Sequence, residues 1–239
     1  MASQNGSAPD PVIIAHTSDL HIGGRYHDSG HLSTLHAVIE AARRNAAHAL
    51  ILAGDIFDTH RAPDAVIQEF TRTLAQAQMH VVILPGNHDP ATPEAVWRRG
   101  VADAPNVQVL GVNVDGVACF NALDLEISGV AHAAYRDIPP LDLTRRRSRR
   151  WHVAVAHGHW VRGTHDHHRA WLIHDDDLAA MDADYIALGH WDLPQPAGDG
   201  RARAYYSGSP ELARTINIVR LGSAGIDVSR YPLELPAPG

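Results

Sequence analysis

The chain has 239 residues, 45% of them hydrophobic, enough for one large domain with a sizeable core. Its single cysteine, Cys119, excludes a disulfide framework and a Cys-rich zinc site. The net charge of −7 argues against binding polyanions through overall charge, though not through a local basic patch. All 20 basic residues are arginine, read here as genome composition, whereas 18 histidines put the commonest metal-ligating side chain in unusual supply. Residues 1–11 are polar, with Pro9 and Pro11, and read as a flexible tail lacking the basic and apolar regions of a secretion signal. No apolar run approaches the roughly 18 residues that span a bilayer. A soluble, cytoplasmic protein is therefore expected.

Val12–His16 reads as a strand. His31–Arg44 follows as a helix, with Leu32, Leu35, Val38 and Ile39 at helical spacing. Ala49–Ala53 is a second strand, Asp64 a candidate cap for a helix running to about Met79, and Val81–Leu84 a third strand. These make two successive βαβ-type units. From Asn106 to His132 the chain reads as short strands broken by Gly111, Asp115-Gly116 and Ser128-Gly129. Arg136–Arg150 reads as a loop-like insertion. Further strands are expected at His152–Ala156, Asp184–Leu188, Ala204–Ser207, Thr215–Leu221 and Ile226–Tyr231, with a helix near Asp175–Met181. Helical units first and strand-rich text later predict an α/β domain over 12–235, built as two stacked sheets flanked by helices.

Polar residues cluster where the strands stop. The first strand ends in Thr-Ser-Asp19-Leu-His21, the second in Gly54-Asp55-Ile-Phe-Asp58 and the third in Gly86-Asn87-His88-Asp89. Later strands end in Ala-His157-Gly-His159 and Gly189-His190-Trp191-Asp192. In open α/β sheets, ligands bind outside the carboxyl ends of strands. Asp19 and His21, like His190 and Asp192, are two apart and share a face in extended backbone. Gly54, Gly86 and Gly189 allow tight turns or close backbone approach beside a ligand. Each motif alone could be a capping or Asx turn. Their order, with Asp19, Asp55 and Asn87 one βαβ unit apart, points instead to a shared site.

Oxygen and imidazole donors without cysteine suit Mn, Fe or Zn, with Mg less favoured by several imidazoles. Asp19, His21, Asp55, Asn87, His157, His190 and Asp192 are too many for one tetrahedral site. They suit two metals sharing a carboxylate, the pair that clamps both oxygens of a phosphoryl transfer.

These motifs resemble the calcineurin-like metallophosphoesterase superfamily. Within it, Ser-Asp-Leu-His-Ile-Gly-Gly, Leu-Ile-Leu-Ala-Gly-Asp-Ile-Phe-Asp and Tyr-Tyr-Ser-Gly-Ser-Pro-Glu are most similar to the catalytic domain of SbcD-type repair exonucleases. The resemblance runs from about Val12 to Glu211. It implies a four-layer α-β-β-α sandwich with a dinuclear centre of Mn or Fe, and Zn as a further candidate. Asp19, His21 and Asp192 would hold one ion, and Asn87, His157 and His190 the other. Asp55 would bridge both, and a metal-bridging hydroxide would attack phosphorus. His88 would protonate the leaving oxygen, with Asp58 orienting it.

Two departures qualify what is carried over. Only 28 residues follow Glu211, where SbcD-type nucleases continue into a capping domain and contacts to an ATPase partner. The resemblance therefore implies the chemistry more directly than it implies double-stranded DNA ends as substrate or an SbcC-like partner. The second departure is Asp192, where the family's last motif carries histidine, so that residue would reach metal directly or through a water. Three functions follow: a phosphodiesterase on nucleic acid or nucleotide-like diesters, a broad phosphomonoesterase, or a non-catalytic scaffold. The first is expected, and retention of His88 and at least six of the seven ligands argues against the third; nucleic acid and a second copy of the chain stay open as partners. His60, Arg61, His159 and Arg162 are candidate substrate contacts, and Trp191 either walls the pocket or packs. The Arg145–Arg150 run and His165, His167 and His168 are open between phosphate or metal contact and solvated surface.

Overall fold

The computed structural model describes residues 11–23, 31–161 and 170–235. In chain order the first elements are β1 (Val12–Thr17), α1 (His31–Arg44), β2 (Ala49–Ala53), α2 (Asp64–Ala75) and β3 (His80–Leu84). The next are β4 (Val107–Val109), β5 (Val117–Phe120), β6 (Leu125–Gly129) and β7 (Trp151–His157). Then come β8 (His159–Trp160), β9 (Leu172–Ile173), α3 (Asp175–Ala180) and β10 (Tyr185–Gly189). The last are β11 (Gln195–Ala197), β12 (Ala204–Tyr206), α4 (Pro210–Ala213), β13 (Thr215–Gly222) and β14 (Gly225–Pro232).

One sheet runs β14-β13-β1-β2-β3-β4 and the other β11-β12-β10-β7-β6-β5, with β8 and β9 as a separate parallel pair. β1 to β4 are mutually parallel, and β13 closes antiparallel on β1. β6, β7, β10 and β12 are likewise parallel. The runs that read as continuously apolar are buried on both faces, as parallel strands are. Between the sheets, Ile14, Ile51, Ala53, Val82 and Leu84 meet Ile127, Val153, Val155, Tyr185 and Ala187. Outside the first sheet, Leu50, Leu52, Val81 and Ile83 pack under α1 and α2 through Leu35, Val38, Ile67 and Phe70. Outside the second, Ala154, Ile186, Leu188 and Tyr206 are covered by Leu178 of α3 and by Leu141 and Trp160. The expected α-β-β-α sandwich is the architecture observed, with an outer layer on the second sheet made largely of loop.

Two details differ from expectation. Pro63, not Asp64, occupies the N-cap of α2, and Asp64 is the first helical residue, where its charge complements the helix dipole. The helix ends at Ala75 rather than near Met79, because the chain turns through Gln78 at φ 57 to enter β3. Arg136–Arg150 carries no regular element, as anticipated. Residues 1–10 of the expected tail lie outside the described residues. No helix among those described is long and apolar enough to cross a membrane.

Candidate metal centre

The parallel topology brings the carboxyl ends of β1, β2 and β3 beside those of β7 and β10, so residues from 19 to 190 converge at one end of the sandwich. Asp19 N–H donates to the Gly54 carbonyl (3.0 Å) and His21 N–H to that of Asp55 (3.0 Å). These bonds lock the two loops together in register. Asp19, His21, Asp55 and His190 all take positive φ, at 54°, 46°, 53° and 107°. Such backbone is costly for non-glycine residues and persists where its surroundings over-determine it. Two glycines let the loops close. A Cβ on Gly189 would lie 1.9 Å from the Ala53 carbonyl oxygen, and one on Gly54 would lie 2.1 Å from His157 Nδ1.

Two groups of donor atoms result, each with its atoms within 4.8 Å of one another: His21, Asp55 and His88, and Asp55, His157 and His190. Asp55 belongs to both. His157 is fully buried, its Nδ1–H donating to the Ala53 carbonyl at 2.9 Å. That bond turns Nε2 toward Asp55 Oδ2 and Asn87 Oδ1, each at 3.1 Å. Three lone-pair donors thus point at one another in a buried space, a set that repels itself unless a cation lies among them. Burial opposes a charge on His157, but the facing Asp55 carboxylate overrides it and lifts the imidazole to about 10. A metal ion satisfies the donors' need for a cation, and an imidazole whose other nitrogen is held by a carbonyl is the usual form of a metal-ligating histidine. The donor set therefore fits a metal centre. Burial pushes His190 down to about 4, with the charge on His157 adding to the effect. Burial also holds the Asp19 carboxyl above the ordinary range, and its Oδ2 accepts the His190 backbone N–H at 2.9 Å.

His21 Nε2 lies 3.9 Å from Asp19 Oδ1. His88 is exposed, its ring edge-on to His21 at 4.9 Å, and its Nδ1–H donates to the Asp58 carbonyl at 3.1 Å. The Asp58 carboxylate stands 3.4 Å from His21 Nδ1 and 3.8 Å from His88 Nδ1. Asp192 is exposed and belongs to neither donor group. His60 meets Tyr135, and Arg61 Nε–H donates to His60 Nε2 at 3.2 Å. His159 is buried and stacks on Trp191 at 5.2 Å. Arg162, His165, His167 and His168 lie outside the described residues.

The arginines of the run have partners within the chain. Arg145 pairs with the fully buried Glu126, and Arg147 bridges Asp182 and Asp184. Arg149 donates to Asn121, and Arg150 lies 5.0 Å over the Trp151 ring. Arg146 donates to the carbonyls of Leu143 and Arg145. A buried carboxylate such as Glu126 demands partners, and the insertion supplies them.

Asp89 is the residue that sequence reasoning passed over. It is fully buried, and its carboxylate accepts the backbone N–H groups of Gly86 (2.7 Å), Ile56 (2.8 Å) and Phe57 (2.9 Å). It thereby ties the loop of Asn87 and His88 to the loop of Asp55. Burial, helped by the Asp55 charge, pushes its carboxyl up to about 7 against those three donors. Its place in the Gly-Asn-His-Asp motif was the available signal.

The sequence matches the profile of the calcineurin-like phosphoesterases over residues 12–193. The chain belongs to that family. It is thereby placed among metal-dependent phosphoric ester hydrolases that use a dinuclear centre. It is 36% identical over 83 residues to the SbcD component of the nuclease SbcCD of Escherichia coli (strain K12), covering 32% of this chain and 21% of that protein. The corresponding SbcD component from Bacillus subtilis (strain 168) is 26% identical over 245 residues, covering 82% of this chain and 61% of the relative. The DNA double-strand break repair protein Mre11 of Thermoplasma acidophilum is 23% identical over 250 residues, covering 93% and 66%. The chain thus spans less than two thirds of the length of either SbcD protein. Among solved structures, TT1561 of Thermus thermophilus shares the fold, with a TM-score of 0.60 and 13% identity over 92% of this chain and 98% of that one.

Proposed function

We propose that this phosphoesterase is a phosphodiesterase acting on nucleic acid or nucleotide-like diesters with two metal ions, Mn or Fe, and Zn as the further candidate. The observation that carries the reading is the sharing of Asp55 between two donor groups. The relatives' names, a nuclease component and a break-repair protein, support nucleic acid as the substrate class.

Asp19, His21 and Asp192 would hold one ion, Asn87, His157 and His190 the other, and Asp55 both. When bound, such a pair supplies a nucleophile at neutral pH and positive charge for the phosphoryl oxygens. The chain's own residues do the rest. The Ala53 carbonyl fixes His157 in the tautomer that presents Nε2. The Asp58 carbonyl holds His88 Nδ1–H, which leaves Nε2 as the nitrogen that carries a proton to the departing oxygen. The exposure of His88 gives that nitrogen access to substrate. A carboxylate at 192 makes the first position more negative, which disfavours dianionic monoesters relative to monoanionic diesters.

Turnover of bis-p-nitrophenyl phosphate against p-nitrophenyl phosphate with added Mn²⁺ tests this. A diester rate well above the monoester rate is expected. The reverse ratio would move the chain to the phosphomonoesterases, and no metal-dependent turnover of either would make it a scaffold.

A further inference from the structure

Tyr135, Arg136 and Asp137, between β6 and β7, touch both halves of the site. On one side Tyr135 meets His60, two residues beyond Asp58, with ring centroids 5.6 Å apart. Its hydroxyl is hydrogen-bonded to His60 Nδ1. Because Arg61 Nε–H can only donate, His60 Nε2 accepts, and the Nδ1–H donates to the Tyr135 oxygen. On the other side, the Trp171 backbone N–H donates to Asp137 (2.6 Å) and its indole N–H to the Arg136 carbonyl (3.1 Å). The Trp171 ring stands 6.2 Å from that of His190. Trp171 holds φ 56, backbone that a bulky residue seldom adopts. The same short segment therefore links the Asp58 loop to His190 through aromatic rings.

Tyr135 is nonetheless 59% exposed. Its polar end is tethered, so what it offers to solvent is ring. An immobilised aromatic face beside a phosphoryl site is the element with which proteins hold unpaired bases.

We propose that Tyr135, braced by His60, is a stacking wall for the nucleobase next to the scissile phosphate. This rests on the phosphodiesterase reading above and adds what the leaving or retained group must be: flat, unsaturated and able to leave a base stack.

The test compares a thymidine dinucleotide with a dinucleotide analogue whose sugars carry no base, using Mn²⁺-loaded protein. In the wild type the base-bearing substrate is expected to have a KM roughly tenfold lower, in the range of one stacked base. In Tyr135→Ala that ratio collapses toward one, with the loss falling on KM rather than kcat, and Tyr135→Trp restores it. An unchanged thermal midpoint confirms that the variants fold. A second arm, in EDTA, follows fluorescence anisotropy of labelled hexathymidylate and its abasic counterpart. The wild type is expected to bind the former more tightly and Tyr135→Ala to bind both alike. Equal KM values in the wild type, or a ratio indifferent to Tyr135, overturn the wall while leaving the diesterase reading intact. If the wild type hydrolyses neither dinucleotide nor bis-p-nitrophenyl phosphate, the diesterase reading falls, and the anisotropy arm alone decides the wall.

Discussion

Asp89 offers a quantitative test of how the site is held. Its two carboxylate oxygens take three buried backbone N–H groups, two on Oδ2 from the Asp55 loop and one on Oδ1 from Gly86. Leaving a buried donor without a partner costs about 1–3 kcal/mol. Asp89→Ala strands all three, and entry of a water into the vacated space recovers part of the loss. A destabilisation of roughly 3–6 kcal/mol is expected on that bond count. Asp89→Asn keeps one oxygen, which serves Ile56 and Phe57, and turns an amide N–H₂ against the Gly86 N–H. One donor is lost, for about 1–3 kcal/mol. The assay is urea unfolding in EDTA at pH 8, above the value of about 7 to which burial and Asp55 push this carboxyl. Activity should follow the same order, because Asp89 adds its bonds with Ile56, Phe57 and Gly86 to those that His88 itself makes with Asp55 and the Asp58 carbonyl in joining the loops of Asp55 and His88. If Ala and Asn variants unfold within about 0.5 kcal/mol of each other, a difference too small for one bond, counting donors does not describe this clamp.

Other expectations follow from the same geometry. Asp55→Asn should reduce bound Mn²⁺, measured by elemental analysis after dialysis, from about two per chain to less than one, since both donor groups lose their shared member; retention of both ions would remove Asp55 from the centre. Replacing Asp192 with His should alter metal content or the diester-to-monoester ratio, and no change in either would place that residue outside the site. Gly189→Ala should cost upward of about 3 kcal/mol or prevent folding, because the clash at 1.9 Å is with backbone; soluble protein of near-normal stability would show that the sheets can part there. His16 is fully buried, and burial pushes its imidazole down to about 3. The unfolded chain therefore binds a proton between about pH 6.5 and pH 3 that the folded chain refuses. Stability should fall with pH across that window, with His16 contributing up to about 1.4 kcal/mol per pH unit. His16→Gln should flatten the slope of urea midpoint against pH, and an unaltered slope would assign the loss to other groups.

The legible part of this molecule was the part written in short range. Continuous apolar runs marked β1, β2, β3, β7 and β10 because parallel strands are buried on both faces. Polar residues at the ends of those runs marked the candidate site because the carboxyl ends of such strands leave the chain facing outward together. Gly54 and Gly189 were read as points of close approach, and the distances to His157 and Ala53 bear that out. What escaped was long range. The partners of Arg145 and Arg147 are 19 to 37 residues away, so the run looks the same in sequence whether it faces solvent or clasps Glu126 and Asp184.

Asp89 and Tyr135 escaped for a related reason, and together they show what a motif leaves unsaid. A motif names groups that would meet the ion or the substrate; it does not name the groups that satisfy those groups. His157 can present Nε2 only because Ala53 accepts its Nδ1–H, and His88 only because the Asp58 carbonyl does the same. Both acceptors are backbone, so any residue type at 53 or 58 would supply them. The geometry of the centre is thus set partly by atoms that carry no sequence signature. Substitutions at Asp89, which position those backbone segments without touching the donors, should consequently disturb the centre more than an exchange of Asp58 for Asn, whose backbone carbonyl would still hold His88.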